Sequence, residues 1–268
     1  MQDLGRKAAD NLKRIREGRP LVHNITNFVV MNVTANALLS CGASPVMAHA
    51  PEEVEEMVSL AGALVLNIGT LTPYWIDSMI KAGKKANDLG VPVVLDPVGS
   101  GATSLRTRSA EKILKEVKIK VIRGNPSEIL SLMGESSKTR GVDSIHGVED
   151  VGKLAEELAS GSDLTIAVTG AEDLVTNGNR TVRVSNGHQL MGRVTGTGCM
   201  ASAIIGAFIA VDGDGLDAAA GGLAYFGLAG EWAAQRASAP GSFQVALMDA
   251  LFEITEDELL TGAKIREA

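Results

Sequence analysis

Aromatic residues make up only 3% of the 268 positions. That is too few to build the exposed stacking platform that single-stranded nucleic acid requires. Positive charge is not in excess either. Lys and Arg total 25 against 32 Asp and Glu, for a net charge of −7, so no basic field exists to hold a phosphate backbone. Small anions remain within reach, because a few amides and one arginine suffice for those. Cysteine is nearly missing: Cys41 and Cys199 cannot build a disulfide framework. His23, His49, His146 and His188 show no zinc-ligand spacing with them or with one another. Long apolar runs are lacking, since the longest, residues 200–211, falls well short of the roughly 20 residues that span a bilayer. Residues 1–19 are charged and amphipathic, without the apolar core of a secretory signal. These absences lead us to expect a reduced, cytoplasmic protein with neither a nucleic-acid nor a membrane partner.

What is present is an ordinary globular content of hydrophobic residues, 45%, together with 30 glycines. Short, continuously apolar runs at 63–68, 91–95, 117–122 and 164–168 predict buried strands. Helical segments at 72–89, 109–116, 126–133 and 149–158 separate them. That alternation predicts an α/β protein whose mostly parallel central sheet is covered by helices on both faces. Residues 174–176 and 181–184 flank Asn177-Gly-Asn179, a turn signal that predicts an antiparallel hairpin at the sheet edge. From Gly198 onward the pattern is helical, over 199–211, 216–236 and a last helix at about 243–251. No linker, repeat or low-complexity segment divides the chain, so one domain over 1–268 is expected.

In parallel sheets, ligands bind beyond the carboxyl ends of the strands. Four segments fall there: Asn67-Ile-Gly69, Asp96-Pro-Val-Gly-Ser-Gly101, Arg123-Gly-Asn-Pro-Ser-Glu128 and Thr169-Gly170. Thr195-Gly-Thr-Gly-Cys199 adds a glycine turn opening an apolar helix. There the amides of Gly196, Thr197, Gly198 and Cys199 and the helix dipole would make an anion hole suited to a phosphoryl group. Gly196-x-Gly198-x-x-Ala201 also fits a relaxed dinucleotide fingerprint, but no strong apolar strand precedes it.

Cys199, at a helix N-terminus where a thiol pKa tends to fall, could take a proton, position a substrate hydroxyl or simply pack. Asn125-Pro-Ser-Glu128 reads as a capping box, and equally as a place where Glu128 helps order Mg²⁺ near phosphates. Asp96 is a turn residue before proline or a carboxylate at the mouth of the sheet. Arg123, directly after a buried strand, suits a polyphosphate. No P-loop GxxxxGK[ST] and no HRD or DFG kinase loop is present.

Eight blocks in order carry a resemblance across most of the length. They are Pro20-Leu-Val-His-Asn-Ile-Thr-Asn27, Gly42-Ala-Ser-Pro-Val-Met47, Asn67-Ile-Gly-Thr-Leu71, Leu95-Asp-Pro-Val-Gly99, Ile122-Arg-Gly-Asn125 with Glu128, Val168-Thr-Gly170, Val194-Thr-Gly-Thr-Gly-Cys199 and Pro240-Gly-Ser-Phe243. With these the chain resembles the hydroxyethylthiazole kinase family, thiamine-salvage enzymes of the ribokinase-like superfamily. The segment 135–146 says least about that likeness.

The resemblance implies a ribokinase-like three-layer α/β/α fold and ATP-dependent phosphorylation of the primary alcohol of 4-methyl-5-(2-hydroxyethyl)thiazole. It further implies that Arg123 and Thr169 contact ATP and that Asp96 and Glu128 serve its Mg²⁺. Met47 and Gly196 would contact the thiazole, with Asn27 beside it, and Cys199 would stand where many relatives carry an aspartate base. A homotrimer with sites near subunit boundaries is implied too. Alternatives are a hydroxymethylpyrimidine kinase of the same fold and a non-catalytic sensor of thiamine precursors. An intact phosphate-handling set argues against the sensor.

Overall fold

Short apolar segments bounded by turn residues form the strands, and the helices between them fold back over both faces of one sheet. The computed structural model describes residues 4–132 and 148–268. The first half runs α1 (Leu4–Gly18), β1 (Leu21–Ile25), α2 (Met31–Cys41), β2 (Ser44–Val46), α3 (Val54–Leu60), β3 (Ala63–Asn67), α4 (Pro73–Leu89), β4 (Val93–Asp96), α5 (Ser104–Glu116), β5 (Val121–Gly124) and α6 (Pro126–Ser131). The second runs α7 (Val148–Ala159), β6 (Thr165–Val168), β7 (Asp173–Thr176), β8 (Thr181–Val184), a 3₁₀ turn (Gln189–Arg193), α8 (Thr197–Ile209), α9 (Gly215–Arg236), α10 (Pro240–Glu253), α11 (Glu256–Gly262) and β9 (Ile265–Glu267).

Among the described residues the sheet has the order β2-β1-β3-β4-β5-β6-β7-β8-β9. Pairing is parallel from β2 through β6 and antiparallel from β6 to β9. Strand alternation sends Val22, Val65, Val94, Val121 and Ala167 into a core under α1, α2, α8, α9 and α10. Leu64, Leu66, Leu95, Ile122 and Ile166 face the opposite core, under α3 to α7. The result is the expected three layers. No helix among the described residues is long and apolar enough to cross a membrane.

Several boundaries differ from the sequence reading, each for a physical reason. β5 begins at Val121 rather than 117, because the Lys118 backbone is bonded on both sides by the Asn87 carboxamide instead of a neighbouring strand. α5 begins at 104, where the Thr103 side chain caps the Arg106 N–H, not at 109. The helix expected from 243 starts at Pro240, in the first-turn position that proline tolerates. It is not the last helix either. Thr255 and Glu258 form a reciprocal capping box that opens α11, and β9 then pairs with β8, so the β7–β8 hairpin sits one strand in from the edge. The expected end of α6 at Met133 and the segment 135–146 lie outside the described residues.

Helix α8 is buried almost along its whole length, and its first turn points at the carboxyl ends of the strands. Gly206 lets it approach: a Cβ there would stand 2.6 Å from Val65 Cγ2 and 3.1 Å from Val22 Cγ1. Gly206→Val is therefore expected to push α8 off the sheet at a cost of about 1–3 kcal/mol, read as a fall of several degrees in Tm. An unchanged Tm would show that the helix–sheet contact tolerates a side chain and is not set by this glycine.

Candidate active site

The register of the parallel strands lines up the polar residues at their carboxyl ends. Asn67 ends β3 opposite Asp96, which ends β4, and Arg123 in β5 is followed by Gly124 opposite Val168 in β6. Thr169 comes next. Arg106 fastens the turns behind this row, donating to the carbonyls of Ile68 (3.0 Å), Val98 (2.6 Å) and Gly69 (2.6 Å).

Asp96 is fully buried. Its Oδ2 accepts from Asn67 Nδ2 at 2.9 Å and from Ser202 Oγ at 2.8 Å. Oδ1 has no hydrogen-bond partner, and Arg123 Nη1 stands 3.9 Å away. Removal from water pushes this carboxyl up to about 6. Arg123 opposes the rise, nearby Glu128 adds to it, and the bonds from Ser202 and Asn67 oppose it.

Arg123 Nη2 donates to Thr169 Oγ1 at 2.6 Å, and its buried Nε has no partner. Both residues line a cavity of about 490 Å³ that runs under the 3₁₀ turn to Leu223 and Phe226 of α9. Thr197 and Gly198 line it too, so the start of α8 opens into the same space. Gly196, at φ 86°, takes the left-handed turn before that helix, and no side chain caps the helix amides. Thr197 turns its hydroxyl away, toward the carbonyls of Met191 and Val194, so it offers the site only its amide. A Cβ on Gly198 would lie 2.6 Å from Arg123 Nη1, so a side chain here would displace the end of that guanidinium.

Glu128 realises the capping box: Oε2 accepts from Asn125 N at 2.8 Å and Asn125 Oδ1 from Glu128 N at 2.9 Å. Its Oε1 accepts from Gly99 N at 2.8 Å, which ties α6 to the turn after β4. Each oxygen thus carries one backbone bond and keeps one lone pair. Among the described residues no group of three His, Cys, Asp or Glu could enclose a metal ion. Mg²⁺ needs no such cage, since one or two carboxylates with water and phosphate oxygens satisfy it. The orphaned, buried Asp96 Oδ1 fits that requirement, and Glu128 keeps acceptor capacity on both oxygens.

Asn27, Met47, Gly196 and Cys199 are not among the residues lining the cavity. Met47 directly follows β2, and Asn27 follows β1, its neighbour in the sheet. Gly196 meets the start of α2, where a Cβ would stand 2.8 Å from Val30 Cγ1. Cys199 Sγ lies 3.5 Å from Asn27 Nδ2. The lowered thiol pKa expected at a helix N-terminus is not found. Burial, reinforced by the charge of Asp96, pushes the Cys199 thiol up to about 11, outweighing Asn67, Asn27 and Arg123. Ser202 and Arg106 join the site without belonging to any of the motifs above. A lone hydroxyl in the buried run 200–209 was the available signal for Ser202. Asp173 belongs to none of those motifs either; it lines the cavity, and burial pushes it up to about 6.

The family model described as "Hydroxyethylthiazole kinase family" matches residues 12–257. The hydroxyethylthiazole kinase of Desulfotalea psychrophila is 57% identical over 268 residues, covering 100% of this chain and 98% of that protein. The one from Pyrococcus horikoshii is 57% identical over 257 residues, covering 96% of each. A solved structure of hydroxyethylthiazole kinase protein from Pyrococcus horikoshii OT3 superposes with a TM-score of 0.90 at 53% identity, covering 97% of this chain and 98% of that one. Pyridoxal kinase from Staphylococcus aureus, in complex with AMP-PCP and pyridoxal, shares the fold at a TM-score of 0.66 and 15% identity, covering 93% and 99%.

The buried carboxylate carries a stability cost whose sign is fixed. The folded-state pKa of Asp96 lies above the ordinary value of 3.8, so between 3.8 and about 6 the unfolded chain is the more ionised. Stability therefore falls as pH rises through that window, and the full cost is present at neutral pH. Asp96→Asn is nearly isosteric and keeps an acceptor for Asn67 and Ser202. It is expected to be more stable than the parent by about 1–3 kcal/mol at pH 7.5, the gap closing toward pH 4. Thermal unfolding across that range checks this, and a less stable variant at pH 7.5 would contradict it.

Proposed function

The chain belongs to the hydroxyethylthiazole kinase family, and from that premise we propose how its own residues perform ATP-dependent phosphorylation of the primary alcohol of 4-methyl-5-(2-hydroxyethyl)thiazole. The observation that carries the reading is a convergence on one cavity. An uncapped helix N-terminus, a half-buried arginine whose buried Nε has no partner and a threonine line that space, and a carboxylate with one free oxygen stands 3.9 Å from the arginine.

ATP occupies the cavity of about 490 Å³, its nucleoside toward Leu223 and Phe226 and its phosphates toward Arg123, Thr169 and the start of α8. The Arg123 guanidinium is aimed by Thr169 and meets the phosphates with the donors it does not spend inside the protein. The amides of Thr197, Gly198 and Cys199 face the phosphoryl group as it moves, adding the dipole of α8 to their hydrogen bonds. Asp96, through Oδ1, and Glu128, through water, would hold Mg²⁺. When bound, that ion supplies positive charge to the nucleotide phosphates.

The thiazole alcohol lies on the other side of the α8 start, against Met47 and Gly196. Asn27 stands behind it, with its amide spent on Asn67, Val29 and Cys199. With its pKa at about 11, Cys199 is a neutral thiol at physiological pH. It positions the acceptor hydroxyl by a weak hydrogen bond rather than by withdrawing its proton beforehand. A loose phosphoryl-transfer transition state tolerates this, since the hydroxyl becomes strongly acidic only as the new P–O bond forms and the P–O bond to ADP breaks, and its proton then passes to a phosphate oxygen or to solvent. Positioning and charge stabilisation supply most of the rate.

Phe28 and Val29, each 62% exposed, flank Asn27 and leave apolar surface beside the acceptor side. A neighbouring copy in the homotrimer that the resemblance implies would cover this edge. The chain acts as one kinase domain over 1–268, in the cytoplasm where ATP is available.

The test is ADP release from Mg-ATP with the thiazole alcohol, with the hydroxymethylpyrimidine alcohol and with no acceptor, run on the parent and on Cys199→Ala. Release stimulated by the thiazole alone is expected, with Cys199→Ala retaining activity within about tenfold of the parent. Stimulation by the pyrimidine alone would overturn the substrate. ATP binding without any stimulated release would favour the sensor. Complete loss in Cys199→Ala would make the thiol a required base and contradict its positioning role.

A further inference from the structure

Asn67 closes β3 and is 1% exposed, and both polar atoms of its carboxamide are engaged. Nδ2 donates to Asp96 Oδ2 at 2.9 Å, while Oδ1 accepts from Asn27 Nδ2 at 2.8 Å and from Gly69 N at 3.0 Å. The amide can sit only one way round. The Gly69 N–H can only donate, so it faces the oxygen; an ionised Asp96 can only accept, so it faces the NH₂. Asn27, 4% exposed, is pinned in the same manner. Its Oδ1 accepts from Val29 N at 3.1 Å, and its Nδ2 is shared between Asn67 Oδ1 and Cys199 Sγ, 3.5 Å away. The backbone makes room for the pair: a Cβ on Gly69 would lie 2.5 Å from Asn27 Nδ2.

A continuous path of contacts, buried from Ser202 to Asn27 and ending on half-buried Cys199, thus runs Ser202–Asp96–Asn67–Asn27–Cys199, from the nucleotide side to the acceptor side. Carboxamides do not take up and pass on protons at neutral pH, so the path cannot be a proton relay. What it can fix is distance and orientation. We propose that Asn67 is a positioning residue that sets the two halves of the site against each other, its NH₂ holding Asp96 with Oδ1 free and its carbonyl holding Asn27 against Cys199.

This deepens, and rests on, the phosphotransfer reading above. In-line transfer needs the acceptor oxygen, phosphorus and leaving oxygen aligned, and a displacement of about 1 Å costs on the order of 100-fold in rate. Asn67 acts through Asp96 and Asn27, so its loss should appear in kcat rather than in the binding of either substrate.

Asn67→Ser adds no charge and is too short to hold Asp96 and Asn27 together, whereas an Asp here would set a second carboxyl against Asp96 Oδ2. Expected are a kcat reduced about 10- to 100-fold and KM values for both substrates within about threefold of the parent. The calorimetric affinity for a non-hydrolysable ATP analogue without acceptor should likewise stay within about threefold. Asn67→Ala, Asn27→Ala and the double variant extend the test beyond one substitution. Links of one path should not add, so the double variant should lose no more kcat than Asn67→Ala alone. If Asn67→Ser does not fold, Asn27→Ala must show the same loss confined to kcat. Undiminished kcat, a loss carried by KM or by analogue affinity, or losses that multiply would each overturn the role of Asn67. A parent enzyme that moves no phosphate to the thiazole alcohol would instead overturn the phosphotransfer reading itself.

Discussion

The site depends on one carboxylate taken out of water. Asp96 ends a strand of buried valine and leucine, where a charge is expensive, and its surroundings offset only part of that expense. Asn67 and Ser202 satisfy one oxygen, and Arg123 answers the charge from 3.9 Å, too far for a hydrogen bond. The other oxygen is left without a partner. Such an arrangement is poor for stability and good for function, since an unmet acceptor beside a partly free guanidinium is ready for an incoming cation and its phosphates.

The remaining architecture brings complementary groups to that carboxylate. Parallel register sets Asn67 beside it, and β5 and β6 deliver Arg123 and Thr169 to the same rim. Helix α8 lies close on β1 and β3 because Gly206 lacks a side chain, and this brings its open N-terminus to the cavity. Gly198 presses on Arg123 in the same way. Glu128 and Arg106 hold the turns: the carboxylate joins the start of α6 to Gly99, and the guanidinium joins three carbonyls behind β3 and β4. In the proposed reaction, nucleotide and acceptor meet across the first turn of this one helix.

Much of this was legible in the sequence because it is local. The apolar runs at 63–68 and 164–168 mark buried strands, and Asp96, Arg123, Glu128 and Thr169 are the polar residues that follow or end such runs. The Asn125–Glu128 capping box is a four-residue signal, and it exists as read. Less legible was whatever depends on burial by distant segments. The thiol of Cys199 was expected to be acidified by its helix terminus, yet the packing around it and the charge of Asp96 decide the opposite. The Asp96–Asn67–Asn27 contacts join three strand ends far apart in the chain. Cavity walls from 186–192 and 223–227 carry no motif at all. β1 and β2 were passed over for a simpler reason: they are short, and one carries polar residues at His23 and Asn24 while the other is only half-buried.

The most direct test of the central role given to Asp96 is calorimetric titration of a non-hydrolysable ATP analogue, with and without Mg²⁺, into the parent protein and Asp96→Asn. The account predicts that Mg²⁺ tightens analogue binding to the parent by at least about tenfold and leaves binding to Asp96→Asn unchanged. Equal tightening in both proteins would mean that the cation is held elsewhere, and that the buried carboxylate serves some other end.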